Sequence, residues 1–360
     1  MGDQVCQVCG HRTALMAAEL GVCVECIRGR PAEAIPICLQ GHRRARELFR
    51  LPPEPPRGGK VRCGQCTQEC LIPEGERGFC GLRRVESGRL RQIAGTPASG
   101  LLHWYRDPLP TNCVADPVCA GHSRLGMHNL AVYYASCTLD CLFCQNWHFR
   151  AADPTLDHQG SVERISAFDL AGCASERTSC VCFFGGDPAS QMPHALATGA
   201  YLAEEGVTVC WETAGTMHPK LLQRAMKLSL ASGGCIKFDL KAYDSHLHRA
   251  LTGASNARTL ENFARAVALG RERPSPPPVV ASTLLVPGYV DAEEVGRIAR
   301  FIAALDPDIP YALLAFHPHF RMRDLPRTSL RHAQAAFAAA EQAGLRQVWI
   351  GNLHLLGDAY

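Results

Sequence analysis

Short apolar runs alternate with longer amphipathic stretches from about residue 130 to the end of the sequence. The runs are NLAVYYA, SCVCFFG, VTVCWET, CIKFDLK, VVASTLLVPG, YALLAF and RQVWIGN. The helical stretches between them include SQMPHALATGAYLAEEG, PKLLQRAMKLSLASGG, TLENFARAVALGRE, AEEVGRIARFIAAL and LRHAQAAFAAAEQAG. Such runs are typical of parallel strands buried on both faces, so the repeating strand-helix unit predicts an α/β fold. About six units predict an incomplete, TIM-like (β/α)6 barrel over residues 129–360, whose chemistry gathers at the carboxyl ends of the strands.

The composition of the chain limits the cellular compartment and the partners that we expect for it. The chain has 360 residues, is 47% hydrophobic and carries 37 Lys+Arg against 34 Asp+Glu, a net charge of +3. This charge is too small to predict a nucleic-acid or membrane partner by itself. The start MGDQVCQVCG does not resemble a signal peptide and no long apolar span occurs, so we expect a soluble cytoplasmic protein. Nineteen cysteines in a reducing compartment predict metal binding rather than disulfides.

Two Cys-x-x-Cys pairs near the N-terminus predict a zinc knuckle. Their four thiols are those of Cys6, Cys9, Cys23 and Cys26. So small a segment cannot bury enough apolar surface to fold alone, and a bound zinc ion supplies about 10 kcal/mol. We therefore predict a small Cys-rich metal-binding domain over residues 1–50, ending in a basic helix, GHRRARELFR. The Pro/Gly-rich residues 51–60 are predicted to be a linker.

The basic helix carries Arg43, Arg44, Arg46 and Arg50. A solvated helix face is the simpler interpretation of this run, and contact with a phosphate backbone is the alternative.

A second cysteine set lies in the predicted extension over residues 61–128. It comprises Cys63, Cys66, Cys70 and Cys80, followed by the strand-like segment RLRQIAG. The uneven spacing suits either zinc or an auxiliary iron-sulfur cluster, because both accept four thiolates. The metal is left open by the sequence.

Three cysteines follow the first strand of the predicted barrel, in the stretch CTLDCLFCQNW. Cys137, Cys141 and Cys144 are three and then two residues apart, so their thiolates could hold three irons of a [4Fe-4S] cluster. The fourth iron would then stay open, as an open coordination position does in a catalytic metal site. These three residues are the predicted catalytic cysteines.

This Cys-x-x-x-Cys-x-x-Cys spacing after the first strand of a barrel resembles the radical S-adenosylmethionine (SAM) superfamily, and Phe143 matches its usual aromatic residue. The resemblance implies a radical SAM barrel in which SAM chelates the open iron. It makes the end of the second strand, FFGGDP, a candidate cofactor contact: Gly185 and Gly186 permit close approach, and Asp187 could accept from the methionine ammonium. A plain strand-to-helix turn capped by Asp187 is the alternative.

Polar residues end the next strands and are further candidates for the SAM pocket. Lys241 suits the methionine carboxylate, and Asp239 or Glu212 could accept from ammonium or ribose hydroxyl groups. Structural ion pairs are the alternative for both strand ends. Thr213 lies beside Glu212, and His317 follows a later strand, either as a cofactor contact or as a capping group.

From about residue 61 to 352 the chain is similar to the pyruvate formate-lyase activase-like branch, particularly the members associated with AMMECR1-like and Memo-like proteins. The similarity lies in CGQCTQECLIPEGERGFCGLR, YYASCTLDCLFCQNW, FFGGDP, KFDLKAY, TLLVPGY, FHPHFRMRDLP and WIGN. The segment RDPLPTNCVADPVCAGHS departs from that branch. The resemblance implies reductive cleavage of SAM to methionine and a 5′-deoxyadenosyl radical, with an electron donor such as flavodoxin or ferredoxin, and hydrogen abstraction from a protein or peptide.

Three other functions are weighed against this one. The barrel could modify RNA gripped by the basic N-terminal region, or act on a small metabolite. A scaffold in which all eleven clustered cysteines bind structural zinc does not explain the three-thiol site. Eight cysteines outside these sets mostly lie in apolar runs and are interpreted as small core residues, with Cys113 and Cys119 as exceptions in a loop; the other six are Cys38, Cys173, Cys180, Cys182, Cys210 and Cys235.

Overall fold

The computed structural model describes residues 2–110, 113–150 and 162–360, and every site residue predicted above lies within these ranges. The N-terminal part is a hairpin followed by two helices: β1 Gln4–Val5, β2 Arg12–Thr13, α1 Val24–Gly29 and α2 Pro31–Glu47. Helix α2 is longer than the predicted basic helix and begins ten residues earlier, with proline at its first position, where a missing N–H costs nothing.

The predicted extension contains two short antiparallel pairs. The first joins β3 Val61–Arg62 to β4 Leu71–Ile72, and the second joins β5 Arg83–Glu86 to β6 Arg89–Gln92. Strand β6 confirms the strand predicted in RLRQIAG. The two pairs bring Cys63, Cys70 and Cys80 to one side of the barrel mouth, beside the loop that carries Cys137.

A nine-stranded sheet forms the centre of the protein. Its strands are β7 Gly100–Pro108, β8 His128–Tyr134, β9 Glu163–Ile165, β10 Thr178–Gly185, β11 Thr208–Thr213, β12 Ile236–Asp239, β13 Val279–Leu285, β14 Tyr311–Ala315 and β15 Val348–Gly351. The order is β15-β14-β13-β12-β11-β10-β8-β7-β9. The seven predicted strands are all present and parallel, while β7 and β9 extend the sheet in antiparallel fashion. No pairing within the described ranges joins β15 to β9, so the sheet stays open, as the predicted incomplete barrel requires.

Helices cover the outer face of the sheet. They are α3 Ala167–Ala171, α4 Met192–Glu204, α5 Pro219–Ser232, α6 Ser245–Thr252, α7 Ala257–Gly270, α8 Ala292–Leu305 and α9 Leu330–Gln342. The five predicted helical stretches correspond to α4, α5, α7, α8 and α9, so the α/β prediction is confirmed. The sequence did not predict α3 or α6, each of eight residues or fewer, because so short a stretch shows little periodicity.

Side chains along each strand point alternately toward the barrel interior and toward the layer of helices. Phe183 and Trp211 pack on each other, and the Trp211 indole donates to Ser229 of α5, so this face of β10 and β11 meets the helices. The alternate residues, among them Cys182, Cys210 and Glu212, therefore face the interior. The buried apolar side chains of the N-terminal part belong to the same continuous hydrophobic core as the barrel. Among the described residues, no helix is long and apolar enough to cross a membrane.

Two buried histidines make stability depend on pH. Burial lowers the pKa of His194 and of His248 to about 4 in each case. The unfolded chain takes up these protons near pH 6.5 and the folded chain only near pH 4, so we expect stability to fall as pH falls through this window, by at most about 3 kcal/mol per histidine. Urea unfolding at pH 7 and pH 4.5 should therefore show a smaller difference for His248→Gln than for His246→Gln, a control at an exposed position of the same helix. Equal pH dependence in the two variants would contradict the assignment.

Candidate active site

A cavity of about 320 Å³ lies at the carboxyl ends of the parallel strands. It is lined by every residue that the sequence predicted for the catalytic and cofactor-binding site: Cys137, Cys141, Cys144, Phe143, Gly185, Gly186, Asp187, Glu212, Thr213, Asp239, Lys241 and His317. The fold thus brings together side chains that are up to 180 residues apart in sequence. The placement follows from the strand ends meeting at one edge of the sheet.

The three-cysteine loop begins three residues after β8. The Leu139 N–H donates to the Cys137 sulfur at 3.4 Å, and the Cys144 N–H donates to the Cys141 carbonyl at 3.2 Å, which folds the loop tightly. Burial raises the pKa of the Cys141 thiol to about 12, so the free side chain is protonated at neutral pH. A metal would displace these protons, and three soft thiol donors beside an open cavity fit an iron-sulfur cluster with one open iron.

Asp140 lies inside this loop and binds the N-terminal part to it. Its carboxylate accepts from His42 Nδ1 of α2 at 2.8 Å and pairs with Arg150, while Arg46 of α2 lies 3.9 Å away. Burial opposes the charged form, but Arg150 and His42 outweigh it and lower the pKa of Asp140. Arg150 also donates to the Cys141 carbonyl. The cluster loop is therefore held by ionic groups that come from both sides of it.

Close packing at the end of β10 requires the Gly-Gly pair. A Cβ at Gly186 would lie 1.9 Å from the Ser136 carbonyl oxygen, and a Cβ at Gly185 would lie 2.5 Å from the Tyr133 Cα. Gly185 also has a φ of +94°, which other residues rarely adopt. These glycines let the end of β10 lie directly against the strand and loop that carry the cysteines.

Asp187 is buried and its carboxylate joins the ends of β10 and β11. It accepts from the Ala189 N–H at 2.8 Å, the Thr213 hydroxyl at 2.8 Å and the Ala214 N–H at 3.2 Å. Burial nevertheless raises its pKa. The capping alternative considered for Asp187 is thus present, and its contact with an ammonium group stays a prediction.

Two ion pairs cross the cavity. Lys241 pairs with Asp239, and Lys237 pairs with Glu212. Burial would lower the pKa of Lys241, but Asp239 and Cys141 outweigh it and raise it, so the ammonium group stays charged beside the cluster loop. The ion-pair alternative is therefore present at both strand ends. Lys237 was not predicted from the sequence as a site residue, although its position two residues before Asp239 on the same strand face was a usable signal.

Aromatic side chains form the wall and rim of the cavity. Tyr133 stacks with Tyr105 at 5.9 Å and with Phe149 at 5.2 Å between ring centroids, and both tyrosines line the cavity. Tyr105 lies on β7, which the sequence did not predict. His317 is exposed at the rim, 4.9 Å from the His319 ring. Trp147, which follows the three-cysteine loop, does not line the cavity and stacks on Phe320 with 5.5 Å between ring centroids.

The two N-terminal cysteine sets differ in geometry. The sulfurs of Cys6, Cys9, Cys23 and Cys26 all lie within 4.8 Å of one another, a spacing that one metal ion can bridge. Burial would raise the pKa of Cys6, but N–H groups of Cys23, Cys9 and Val8 donate to its sulfur and lower it to about 6. The second set lines one small cavity, yet among the described residues no three of its sulfurs lie within 4.8 Å of one another; its members are Cys63, Cys66, Cys70 and Cys80.

The predicted basic face is mostly engaged within the chain. Arg43 pairs with Glu54, Arg44 pairs with Glu19, and Arg46 is buried, where it donates to the Pro52 and Phe79 carbonyls. The favoured interpretation of a solvated helix face is therefore wrong for Arg46, whose side chain packs inward because it reaches the cluster loop. Fewer cations are left on this helix for a phosphate backbone.

Comparison with known proteins agrees with this geometry. The sequence model of the Radical SAM superfamily matches residues 132–302. A pyruvate formate-lyase-activating enzyme of Staphylococcus aureus (strain USA300) is 30% identical over 196 residues, which cover 52% of this chain and 73% of that enzyme. The chain belongs to the radical SAM superfamily. Within it, this radical SAM enzyme falls in the pyruvate formate-lyase activase-like branch, and membership implies a [4Fe-4S] cluster and SAM.

A second sequence relative and one partly similar solved structure complete the comparison. An uncharacterised protein of Methanocaldococcus jannaschii is 25% identical over 302 residues, 82% of each chain. A solved domain of a pyruvate-formate lyase-activating enzyme from Bacteroides vulgatus superimposes with a TM-score of 0.39 at 21% identity, covering 48% of this chain and 99% of that domain.

Proposed function

We propose that this radical SAM enzyme cleaves SAM reductively to methionine and a 5′-deoxyadenosyl radical, which abstracts hydrogen from a protein or peptide. The observation that supports this is the convergence of three thiols and nine predicted cofactor contacts on one cavity at the strand ends. The cluster and SAM, when bound, supply the radical chemistry, and an electron donor such as flavodoxin or ferredoxin supplies the electron.

The residues of this chain would bind the cluster and SAM, orient them and shield them from water. Cys137, Cys141 and Cys144 would hold the cluster, and the buried network at Asp140 would keep their loop in place. Asp187, Asp239 and Glu212 would accept hydrogen bonds from ammonium or hydroxyl groups, while Lys241 would bind a carboxylate. The remaining cofactor contacts proposed here are Phe143, Gly185, Gly186, Thr213 and His317.

The proposed substrate class is supported by the relative named a pyruvate formate-lyase-activating enzyme, whose name describes action on another enzyme. Modification of RNA is less well supported, because Arg43, Arg44 and Arg46 are engaged within the chain. Action on a small metabolite is the second candidate, since a cavity of about 320 Å³ is large enough to hold one.

We propose zinc at the N-terminal set, because its four sulfurs are close enough to share one ion. At Cys63, Cys66, Cys70 and Cys80 the wider separation supports an auxiliary iron-sulfur cluster over zinc, since each thiolate of a cluster binds a different iron, whereas a single ion must bind all four.

The reaction is tested on anaerobically reconstituted full-length protein with dithionite and SAM. We expect 5′-deoxyadenosine and methionine to form, and no product above background from Cys141→Ala. Cys173→Ser, which removes a thiol outside the site, should match the wild type. Product formation by Cys141→Ala at the wild-type rate would refute the proposal. Deuterium transfer from a labelled partner protein into 5′-deoxyadenosine would identify the substrate class.

A further inference from the structure

Six of the eight cysteines that belong to none of the three predicted sets surround one cavity. This sulfur chamber lies inside the barrel, below the candidate active site, and is lined by Cys113, Cys119, Cys180, Cys182, Cys210 and Cys235. Four different segments supply them: the 113–127 region, β10, β11 and the residue before β12. Small core cysteines scattered by chance would not gather around a single cavity. The interpretation as core residues therefore explains Cys38 and Cys173 but not Cys180, Cys182, Cys210 and Cys235, and the two loop exceptions, Cys113 and Cys119, line the same cavity.

The register of the sheet shows where the chamber lies along the strands. Cys182 is paired with Cys210 in register, and Glu212 is paired with Lys237. Cys210 lies two residues before Glu212, and Cys235 lies two residues before Lys237. Both cysteines therefore occupy the next interior layer toward the amino ends of the strands. The Glu212–Lys237 ion pair lines the active-site cavity, one interior layer above Cys210 and Cys235 of the chamber. Cys113 lies 3.9 Å from Glu212 and lines both cavities.

The chamber has the chemistry of a cluster site rather than of a single-ion site. Among the described residues, no three of its sulfurs lie within 4.8 Å of one another, in contrast to the N-terminal set. In a cluster, inorganic sulfide bridges several irons and each thiolate binds one of them, so the thiolates can lie farther apart than they do around a single ion. Cys180 lines the same cavity as three other thiols with which it interacts electrostatically, those of Cys210, Cys113 and Cys119.

Positive groups around the chamber would balance the charge of such a cluster. Arg124 lines the cavity and donates to the Ser179 hydroxyl at 2.9 Å. Arg273 interacts electrostatically with Cys210 and Cys235, and its buried Nε and Nη1 atoms have no hydrogen-bond partner among the described residues. An anionic cluster bound to thiolates would offset the cost of burying this cation.

We propose that the sulfur chamber binds an iron-sulfur cluster through Cys113, Cys119, Cys180 and Cys210, separately from the cluster of the active site. The site goes beyond the proposed function, because it uses none of the residues assigned to SAM cleavage. It also assigns a role to Cys113 and Cys119, two cysteines that the family resemblance does not explain.

The first test compares iron and sulfide contents of full-length variants after anaerobic reconstitution. Cys180→Ala/Cys210→Ala should bind about four fewer irons per chain than Cys38→Ala/Cys173→Ala, which removes two thiols outside the chamber. The electron paramagnetic resonance signal that changes on addition of SAM should persist in both variants, which separates this proposal from the proposed function. Equal iron in the two variants would overturn the proposal.

A second test needs no variant and so does not depend on folding. The wild-type protein is treated with iodoacetamide before and after reconstitution with iron and sulfide, and alkylation is located by mass spectrometry. Cys113 and Cys119, which are partly exposed, should be alkylated in the iron-free protein and protected after reconstitution, while Cys173 should be alkylated equally in both. Unchanged alkylation of Cys113 and Cys119, or protection by zinc alone, would overturn the proposal.

Discussion

Asp140→Asn is expected to destabilise the folded protein by about 3–5 kcal/mol and to loosen the cluster loop. The variant keeps the size of the side chain but removes the negative charge that faces Arg150 and Arg46, both at most 4% exposed. Neither buried guanidinium group would then have a carboxylate partner among the described residues, and breaking a buried ion pair from one side costs this much because desolvation is not recovered. Urea unfolding measures the loss of stability, and transfer of iron to a chelator measures the loosening of the loop.

Glu54→Gln is the matched control for this prediction. It removes the carboxylate that pairs with Arg43, where both side chains are more than half exposed, so a change below about 1 kcal/mol is expected. The effect of Asp140 also has a pH signature: its lowered pKa means that its contribution is present above the ordinary carboxyl range and is lost only as pH falls through the lower value. If Asp140→Asn had the same stability in urea and the same rate of iron transfer as Glu54→Gln, the ionic network would not hold the loop.

The parts of this protein that the sequence predicted correctly are encoded locally. Each strand of the parallel sheet is a single apolar run, and each cysteine set of the predicted sites lies within about twenty residues. The order of the strands then follows from the rule that successive strand-helix units lie side by side. This is why twelve predicted site residues line one cavity.

The parts that were missed depend on contacts between distant segments. His42 and Asp140 are 98 residues apart, and nothing near either residue indicates the other. Strand β7 has no clear alternation, because it mixes buried leucines with partly exposed aromatic residues. Four cysteines of the sulfur chamber are interpreted from the sequence as core residues because each, taken alone, sits in an apolar run: Cys180, Cys182, Cys210 and Cys235. Cys113 and Cys119 are the two exceptions, in a loop whose position the sequence does not indicate. Only the packing of four segments shows that all six share a cavity.

The N-terminal part is bound to the barrel by contacts of several kinds. Arg28 pairs with Asp291 and with the fully buried Glu294. The Tyr289 hydroxyl accepts from the Ala17 N–H at 3.0 Å and donates to the Val22 carbonyl at 3.2 Å. These contacts hold α2 in the position from which His42 and Arg46 reach the cluster loop. The zinc ion proposed for the N-terminal cysteines is therefore expected to affect the active site through α2, although the zinc site and the active-site cavity are separate.

Cys6→Ser/Cys26→Ser is expected to abolish zinc binding and to unfold residues 2–50. The reason is the free energy of about 10 kcal/mol that a structural zinc ion contributes, which the short hairpin and helices of this region cannot replace. Trypsin should then cleave after arginines of α1 and α2 that are protected in the wild type. Because unfolding withdraws His42 from Asp140, iron should also transfer to a chelator at least tenfold faster, a change that corresponds to about 1.4 kcal/mol.

Cys38→Ala separates loss of the metal from loss of a buried thiol in the same region. Cys38 is fully buried in α2 but is not one of the four clustered thiols, so this variant should keep its zinc and its resistance to trypsin. Metal analysis, limited proteolysis and the rate of iron transfer are measured on the same preparations. A zinc-free Cys6→Ser/Cys26→Ser protein that resisted trypsin would show that the region folds without metal. A zinc-free protein that was cleaved but held its iron normally would show that the cluster loop is independent of α2.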